Sequence, residues 1–415
     1  MAPTIPQTTI ANRFDPYSQR HADDPYELWD ASREAEPVFF SNALRAWVVT
    51  RHDLVTLVLQ DPETFSSSGL DRVGTLPPEV QAILDEVPKT PPLRATDPPM
   101  HTRLSKPTQA GVAPRRMTDM EDQVRAVAND LIDGFVDDGE CDFYSAFAYP
   151  YPLSVICGLL GFPREDWPRL HHWANDRVML AWGNLPLEER KSAARGFVNF
   201  HQYIESQVLD RRSVPRDDLL SRLVRLDPAE PELLALPELV EQAMGLVVAG
   251  HESTANWLTM STYHLLRRPE RWRSFLDTPG SVGKLVEEML RYDSSVGALW
   301  RRATRDTRIG DCIVAPNDVV YCVIASANRD ANVFNEPDNI VPGRKDIRMH
   351  MTFGRGPHNC IGAALARLEG RVALETMAQR LPGLALSERQ GPLAFAPNVT
   401  LRIPQGLHIT WTAPP

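Results

Sequence analysis

Phe353-Gly354-Arg355-Gly356-Pro357-His358-Asn359-Cys360-Ile361-Gly362 sets a cysteine between a glycine-rich loop and an apolar repeat of helical period. Ile361, Ala364, Leu365, Leu368 and Val372 carry that repeat, so Cys360 is expected at a helix N-terminus. The partial positive charge and unpaired N–H groups there favour the thiolate, the form that binds metal and acts as a nucleophile. Gly354, Gly356 and Gly362 withhold side chains where backbone meets a flat ligand. A large planar cofactor held through sulfur suits this layout; the plain alternative is one more buried thiol among five cysteines.

Working outward, composition sets bounds. A chain of 415 residues with 43% hydrophobic content can bury a substantial core. Cys141, Cys157, Cys312, Cys322 and Cys360 are odd in number and widely spaced, without a C-x-x-C pair that would indicate zinc or dithiol chemistry. The net charge of -10 argues against a nucleic-acid partner. No run of apolar residues is long enough to span a bilayer, and the start has neither a basic region nor an apolar signal core. The expectation is a soluble cytoplasmic protein with no membrane association.

Short strands are expected at 37–40 and 46–50, and a later pair at 309–314 and 319–324 around Ala315-Pro316-Asn317-Asp318. Most of the middle reads as helix. The longest helix runs from Pro237, placed at a first-turn position, to Arg267-Arg268 before Pro269. Within its apolar stretch, Ala249-Gly250-His251-Glu252-Ser253-Thr254 is unusual, because glycine weakens a helix and a buried acid beside two hydroxyls needs partners.

The decapeptide, read as Phe-Gly-x-Gly-x-His-x-Cys-x-Gly, resembles the haem-binding loop of the cytochrome P-450 family. That resemblance implies a mainly α fold with small β-sheets, a single domain over residues 1–415 with about the first 20 loosely ordered, and haem b (iron protoporphyrin IX) ligated by the Cys360 thiolate. Ala249 to Thr254 is similar to the family's oxygen-activation segment. The match assigns proton delivery to Glu252 and Ser253, with Thr254 able to share it; serine stands where threonine is usual. Glu288-x-x-Arg291 together with Arg344 matches the family's structural network beneath the cysteine loop. His101, Arg301 and His358, with His350 as a further candidate, are the implied propionate partners, and Phe353, Gly354 and Gly362 complete the cofactor cradle. Ser105 stands where the family has arginine, and Arg302 where an aliphatic residue is usual.

Pocket walls are expected from Gly245, Val248, Ala249, Gly297, Ala298, Leu299, Val399 and Thr400, mostly small, giving room for an aromatic ring or terpenoid skeleton. The loop 65–72 offers hydroxyls and Arg72, while Leu180, Trp182 and Trp300 are read as core residues able to line the pocket. No flavin or nicotinamide segment is recognised. Electrons are therefore expected from a ferredoxin, or a flavodoxin, with its NAD(P)H-dependent reductase, docking on Arg103, Lys106, Arg115, Arg116, Lys345 and Arg355. The implied activity is insertion of one oxygen atom from O2 into a small to medium apolar organic substrate, by hydroxylation or O-demethylation. A terpenoid or secondary-metabolite hydroxylase is the nearest alternative; a non-catalytic haem sensor and haem-free cysteine catalysis are the alternatives of other classes.

Overall fold

The apolar run around Met244–Trp257 lies inside a 31-residue helix, Leu236–Leu266, which at 1.5 Å per residue is ~46 Å long and crosses the molecule. Pro237 sits in its first turn, and the Glu238 carboxylate accepts the Ala235 backbone N–H at 2.8 Å, satisfying one donor at the helix start. Pro269 opens the next helix, Pro269–Leu276, and so stops this one. The computed structural model describes residues 9–70, 76–182, 185–225, 234–278 and 280–413. Asp71 and Arg72, and the Trp182 side chain, lie outside the described residues.

Helices Pro150–Leu159, Trp167–Trp182, Leu187–Ser213 and Ala363–Arg380 pack on the long helix and build the main core with it. Gly370 makes room for one of these contacts: a Cβ there would fall 2.5 Å from the Trp257 ring. To one side lies a five-stranded sheet in the order Val38–Ser41, Ala46–Val49, Val319–Val323, Ala298–Ala303, Phe65–Ser66. Its strands Ala46–Val49 and Val319–Val323 run parallel, and the other pairings are antiparallel. The period of two sorts the strand Ala298–Ala303: Ala298 and Trp300 join the cluster of Phe39 and Tyr321, whereas Leu299 packs on the opposite cluster with Val49 and Val58.

Two expectations are corrected. Residues 309–314 are not one strand. Thr307–Ile309 and Cys312–Val314 form a hairpin turned at Gly310-Asp311, with Gly310 at φ 57°, and the strand Val319–Val323 pairs elsewhere. Residues 9–20, expected to be loose, include the helix Thr9–Arg13 and the start of Gln19–Asp23, with Ile10 and Phe14 buried against Trp29 and Phe39; residues 1–8 lie outside the described set. Among the described residues no helix is long and apolar enough to cross a membrane.

Candidate active site around Cys360

The cysteine loop is anchored before it reaches the sulfur. Glu288, Arg291 and Arg344 form a buried network: Arg291 donates to Glu288 at 3.0 and 2.7 Å, and Arg344 at 2.8 and 3.0 Å. The remaining guanidinium N–H groups hold the carbonyls of Asn328, Asn335, Pro337 and Asn339. These bidentate, charge-assisted bonds fix the chain leading to the loop. Asn328 continues the chain of contacts, accepting the Met351 N–H at 2.6 Å and donating to Ser294 Oγ and Thr352 Oγ1.

Here His350 departs from its expected role. Its Nε2 pairs with Glu287 at 3.1 Å and its Nδ1 with Thr352 Oγ1 at 3.1 Å, so neither nitrogen is left for a cofactor carboxylate; His350 ties the loop to the helix Val282–Tyr292 instead. Glu287 also binds Arg367; burial acts to raise its carboxyl, but the bonds to His350 and Arg367 outweigh it and hold the carboxylate down to about 2.

Beyond Thr352 the chain turns tightly. Gly354 N donates to Met351 O at 2.8 Å and Cys360 N to Phe353 O at 2.7 Å. Gly356, at φ 73°, passes so near Leu59 O that a Cβ would sit 2.4 Å from it. Gly362 caps the helix Ala363–Arg380, and the Gly362 and Ala363 amides point at the Cys360 sulfur. Desolvation by the surrounding protein raises the thiol, although Cys360 keeps an exposed surface, and those amides with the Arg367 charge favour the thiolate. A metal cation at the sulfur would hold it as the thiolate.

His101 and Arg301 are buried, and the His101 and His358 rings lie 4.1 Å apart. Arg301 spends Nη1 on the Trp300 carbonyl at 2.7 Å, while its Nη2 and the His358 Nε2 are buried with no partner. Burial, then the Arg301 charge, then His101 push His358 down to about 3. The nearby Asp97 is engaged by the Ser67 N–H at 2.8 Å and by Ser66 Oγ. The buried Arg301 guanidinium beside two neutral imidazoles, with two orphaned nitrogens, fits a ligand bearing carboxylates, which the haem propionates would supply. Ser105 is buried and bonds only the Thr102 carbonyl, so no arginine substitutes there; Arg302 points away and donates to Asn317 O.

On the long helix, Gly245, Val248, Ala249, Glu252 and Ser253 repeat at intervals of three and four, and all keep accessible surface within a segment that is otherwise largely buried. Ala249 is the exposed one, and Ser253 Oγ donates to its carbonyl at 3.0 Å. Burial raises Glu252 from 4.5 to about 7. Thr254 stands apart from that face: its hydroxyl bonds the buried Glu369 of the helix Ala363–Arg380. Leu299 approaches the loop, its Cδ1 3.6 Å from where a Gly354 Cβ would be. Ala298 is corrected, since strand alternation turns it into the opposite cluster. Gly297 N donates to Thr400 O at 2.8 Å, Trp300 Nε1 to Thr400 Oγ1 at 3.1 Å, and Tyr321 to Val399 O, so these residues share one small wall.

Asn328, Glu287 and Glu369 are not marked by the sequence, nor are Tyr144 and Tyr149, whose hydroxyls feel the Glu252 charge. No local signal singles them out, because each matters through a partner distant in sequence.

The family described as cytochrome P450 matches residues 282–411. The vitamin D(3) 25-hydroxylase of Pseudonocardia autotrophica is 33% identical over 95% of this chain and 96% of its own. The mycinamicin IV hydroxylase/epoxidase of Micromonospora griseorubida is 33% identical over 97% of this chain and 100% of its own. The solved structure of cytochrome P450 CREJ in complex with (4-ethylphenyl) dihydrogen phosphate has a TM-score of 0.90 at 29% identity, covering 97% of this chain and 100% of that one. Fold and site thus define a haem protein, and the chain belongs to the cytochrome P450 family. Within it, the similarity is to the bacterial monooxygenases, oxidoreductases that use haem b, O2, an organic substrate and electrons from redox partners.

Proposed function

We propose that this chain hydroxylates or oxidatively O-demethylates a small to medium apolar molecule, with Cys360 as the thiolate ligand of haem b. The observation that carries the reading is the pairing of a sulfur faced by the Gly362 and Ala363 amides with the unpartnered Arg301 and His358 nitrogens, a donor set matched to a metal at one point and carboxylates at another. When bound, the haem supplies the redox centre at which dioxygen is activated.

The protein's own residues do the rest. Phe353, Gly354 and Gly362 shape the loop, and His101, Arg301 and His358 would hold the propionates of a bound haem. Glu252, at about 7, exchanges a proton near neutral pH, the condition a general acid needs. Ser253 is placed on the same helix face and retains a hydroxyl that both donates and accepts. Gly245, Val248, Ala249 and Leu299 leave an apolar space, bounded by Gly297, Val399 and Thr400, in which a C–H bond is positioned. The relatives named above act on vitamin D(3) and mycinamicin IV, which supports a secondary-metabolite or terpenoid-sized substrate.

For electrons, Lys106, Arg115, Lys345 and Arg348 are exposed around the cysteine loop and the segment after His101, a surface suited to an acidic ferredoxin or flavodoxin served by an NAD(P)H-dependent reductase. Arg103 contributes less than expected, because it is paired with Glu238 at 2.5 Å. The test is a visible-spectrum titration of the holoenzyme with methoxybenzoates, phenols, terpenes and fatty acids, followed by turnover with ferredoxin and reductase. A saturable low-spin to high-spin shift by one class, with oxidised product, is the expected result. A Cys360→Ala protein that keeps the thiolate spectrum, or a wild type that binds but never yields product, would sink the reading, the latter in favour of a sensor.

A further inference from the structure

We infer that the substrate of the reaction proposed above carries an anionic group, received in a cavity on the N-terminal side of Glu252 along the long helix. The inference rests on that reading and names the substrate's chemistry. A cavity of about 340 Å³ lies between residues 84–94, the helices Trp167–Trp182 and Leu187–Ser213, and the first turns of Leu236–Leu266. Leu84, Val87, Leu180 and Phe197 give it an apolar wall. Lys89, Arg94 and Arg177 also line it, against a single carboxylate, Glu241.

The polar groups are arranged to receive an anion. Arg177 gives Nη2 to Glu241 and leaves Nη1 buried without an acceptor. His201, 4% exposed, likewise leaves Nδ1 unpartnered. Arg94 holds the Leu70 carbonyl at 3.2 Å and Lys89 pairs with Asp85 at 2.8 Å, so both charges are already placed at the cavity. A neutral apolar molecule would leave the Arg177 N–H unmet, which is unfavourable in a buried site; a small inorganic anion would leave the apolar wall unused.

The cavity and the candidate active site lie along the same long helix, the cavity at Pro237 and Glu241 and the site from Gly245 onward. At about 100° per residue, Pro237, Glu241, Val248 and Glu252 fall within about 60° of one another, so they share one helix face. From Glu241 to Val248 the helix rises about 10 Å. An apolar monoacid of that reach, with its carboxylate at Arg177 and His201, would bring its far end level with Val248 on that shared face.

The experiment is calorimetric titration of the holoenzyme with dodecanoate, dodecan-1-ol and methyl dodecanoate, with the haem spin state recorded in parallel. Dodecanoate is expected to bind roughly tenfold or more tightly than the alcohol and the ester. The charge-balanced variant Arg177→Gln/Glu241→Gln should bring the acid to the alcohol's affinity and leave the alcohol unchanged; His201→Phe should weaken the acid alone. Equal affinity of acid and alcohol for the wild type, which needs no variant, overturns the inference, and so does an equal loss of both ligands in the variants. Charge-selective binding without product in the presence of O2, ferredoxin and reductase would uphold the cavity and refute the monooxygenase reading. Oxidation of neutral phenols or terpenes with no acid bound would do the reverse.

Discussion

Replacing Glu252 by glutamine should make the protein more stable at and above neutral pH. Burial lifts this carboxyl from 4.5 to about 7. At about 1.36 kcal/mol per pH unit, that rise corresponds to ~3 kcal/mol. Below pH 4.5 the group is protonated whether the chain is folded or unfolded, and its ionisation costs nothing. Between 4.5 and 7 the unfolded chain has lost the proton and the folded one keeps it, so folding takes up a proton and stability falls as pH rises. Above 7 the full cost is present. Glutamine has no such dependence. The gap between variant and wild type should therefore open across pH 4.5 to 7 and stay level beyond it, read as urea midpoints of the two holoproteins at a common slope. A gap equal at both ends of that window, or a wild type more stable at alkaline pH, would refute the assignment of a buried, proton-holding acid. The same variant should lower product formed per NADH, because the exchangeable proton is gone.

Ser253→Ala removes the hydroxyl that donates to Ala249 O, and NADH consumption should continue while product per NADH falls; unchanged coupling would leave that hydroxyl with no part in proton delivery. Arg344→Ala leaves Glu288 buried with one partner fewer and should cost ~3 kcal/mol or more, seen as a lower melting midpoint and a reduced haem-to-protein ratio. Full haem occupancy in that variant would detach the network from the cysteine loop. Gly370→Ala drives a methyl into Trp257 and should destabilise by about 1–3 kcal/mol, with an altered tryptophan emission reporting the displaced ring. Wild-type stability and emission would show that the ring yields freely.

What is legible in the sequence is whatever local chemistry encodes. Pro237 and Pro269 delimit the long helix because proline acts on its own turn, and the cysteine loop is readable because its glycines serve backbone positions within ten residues. The Glu288–Arg291–Arg344 network is legible only through family likeness, since i, i+3 charges alone describe any surface pair. His350 misleads because its partner, Glu287, comes from a helix 63 residues earlier. Ala298 misleads because strand phase depends on which face its neighbours bury, here set by Tyr321 and Phe39. Gly310-Asp311 hides a turn inside an apolar run, and Thr254 gives no sign that Glu369 claims its hydroxyl.

The crossing of the two central helices at Gly370 and Trp257, with Thr254 and Glu369 bonded beside it, acts as a fulcrum. Ser253 lies one turn from it on one arm, and Cys360 lies ten residues from it beyond the start of the other. The separation between the Ser253 hydroxyl and the Cys360 sulfur is thus tied to a single missing methyl at Gly370. Reshaping the cavity by substitutions on the Gly245–Ala249 arm can change what is admitted without disturbing that spacing, whereas any bulk added at the pivot alters both arms together.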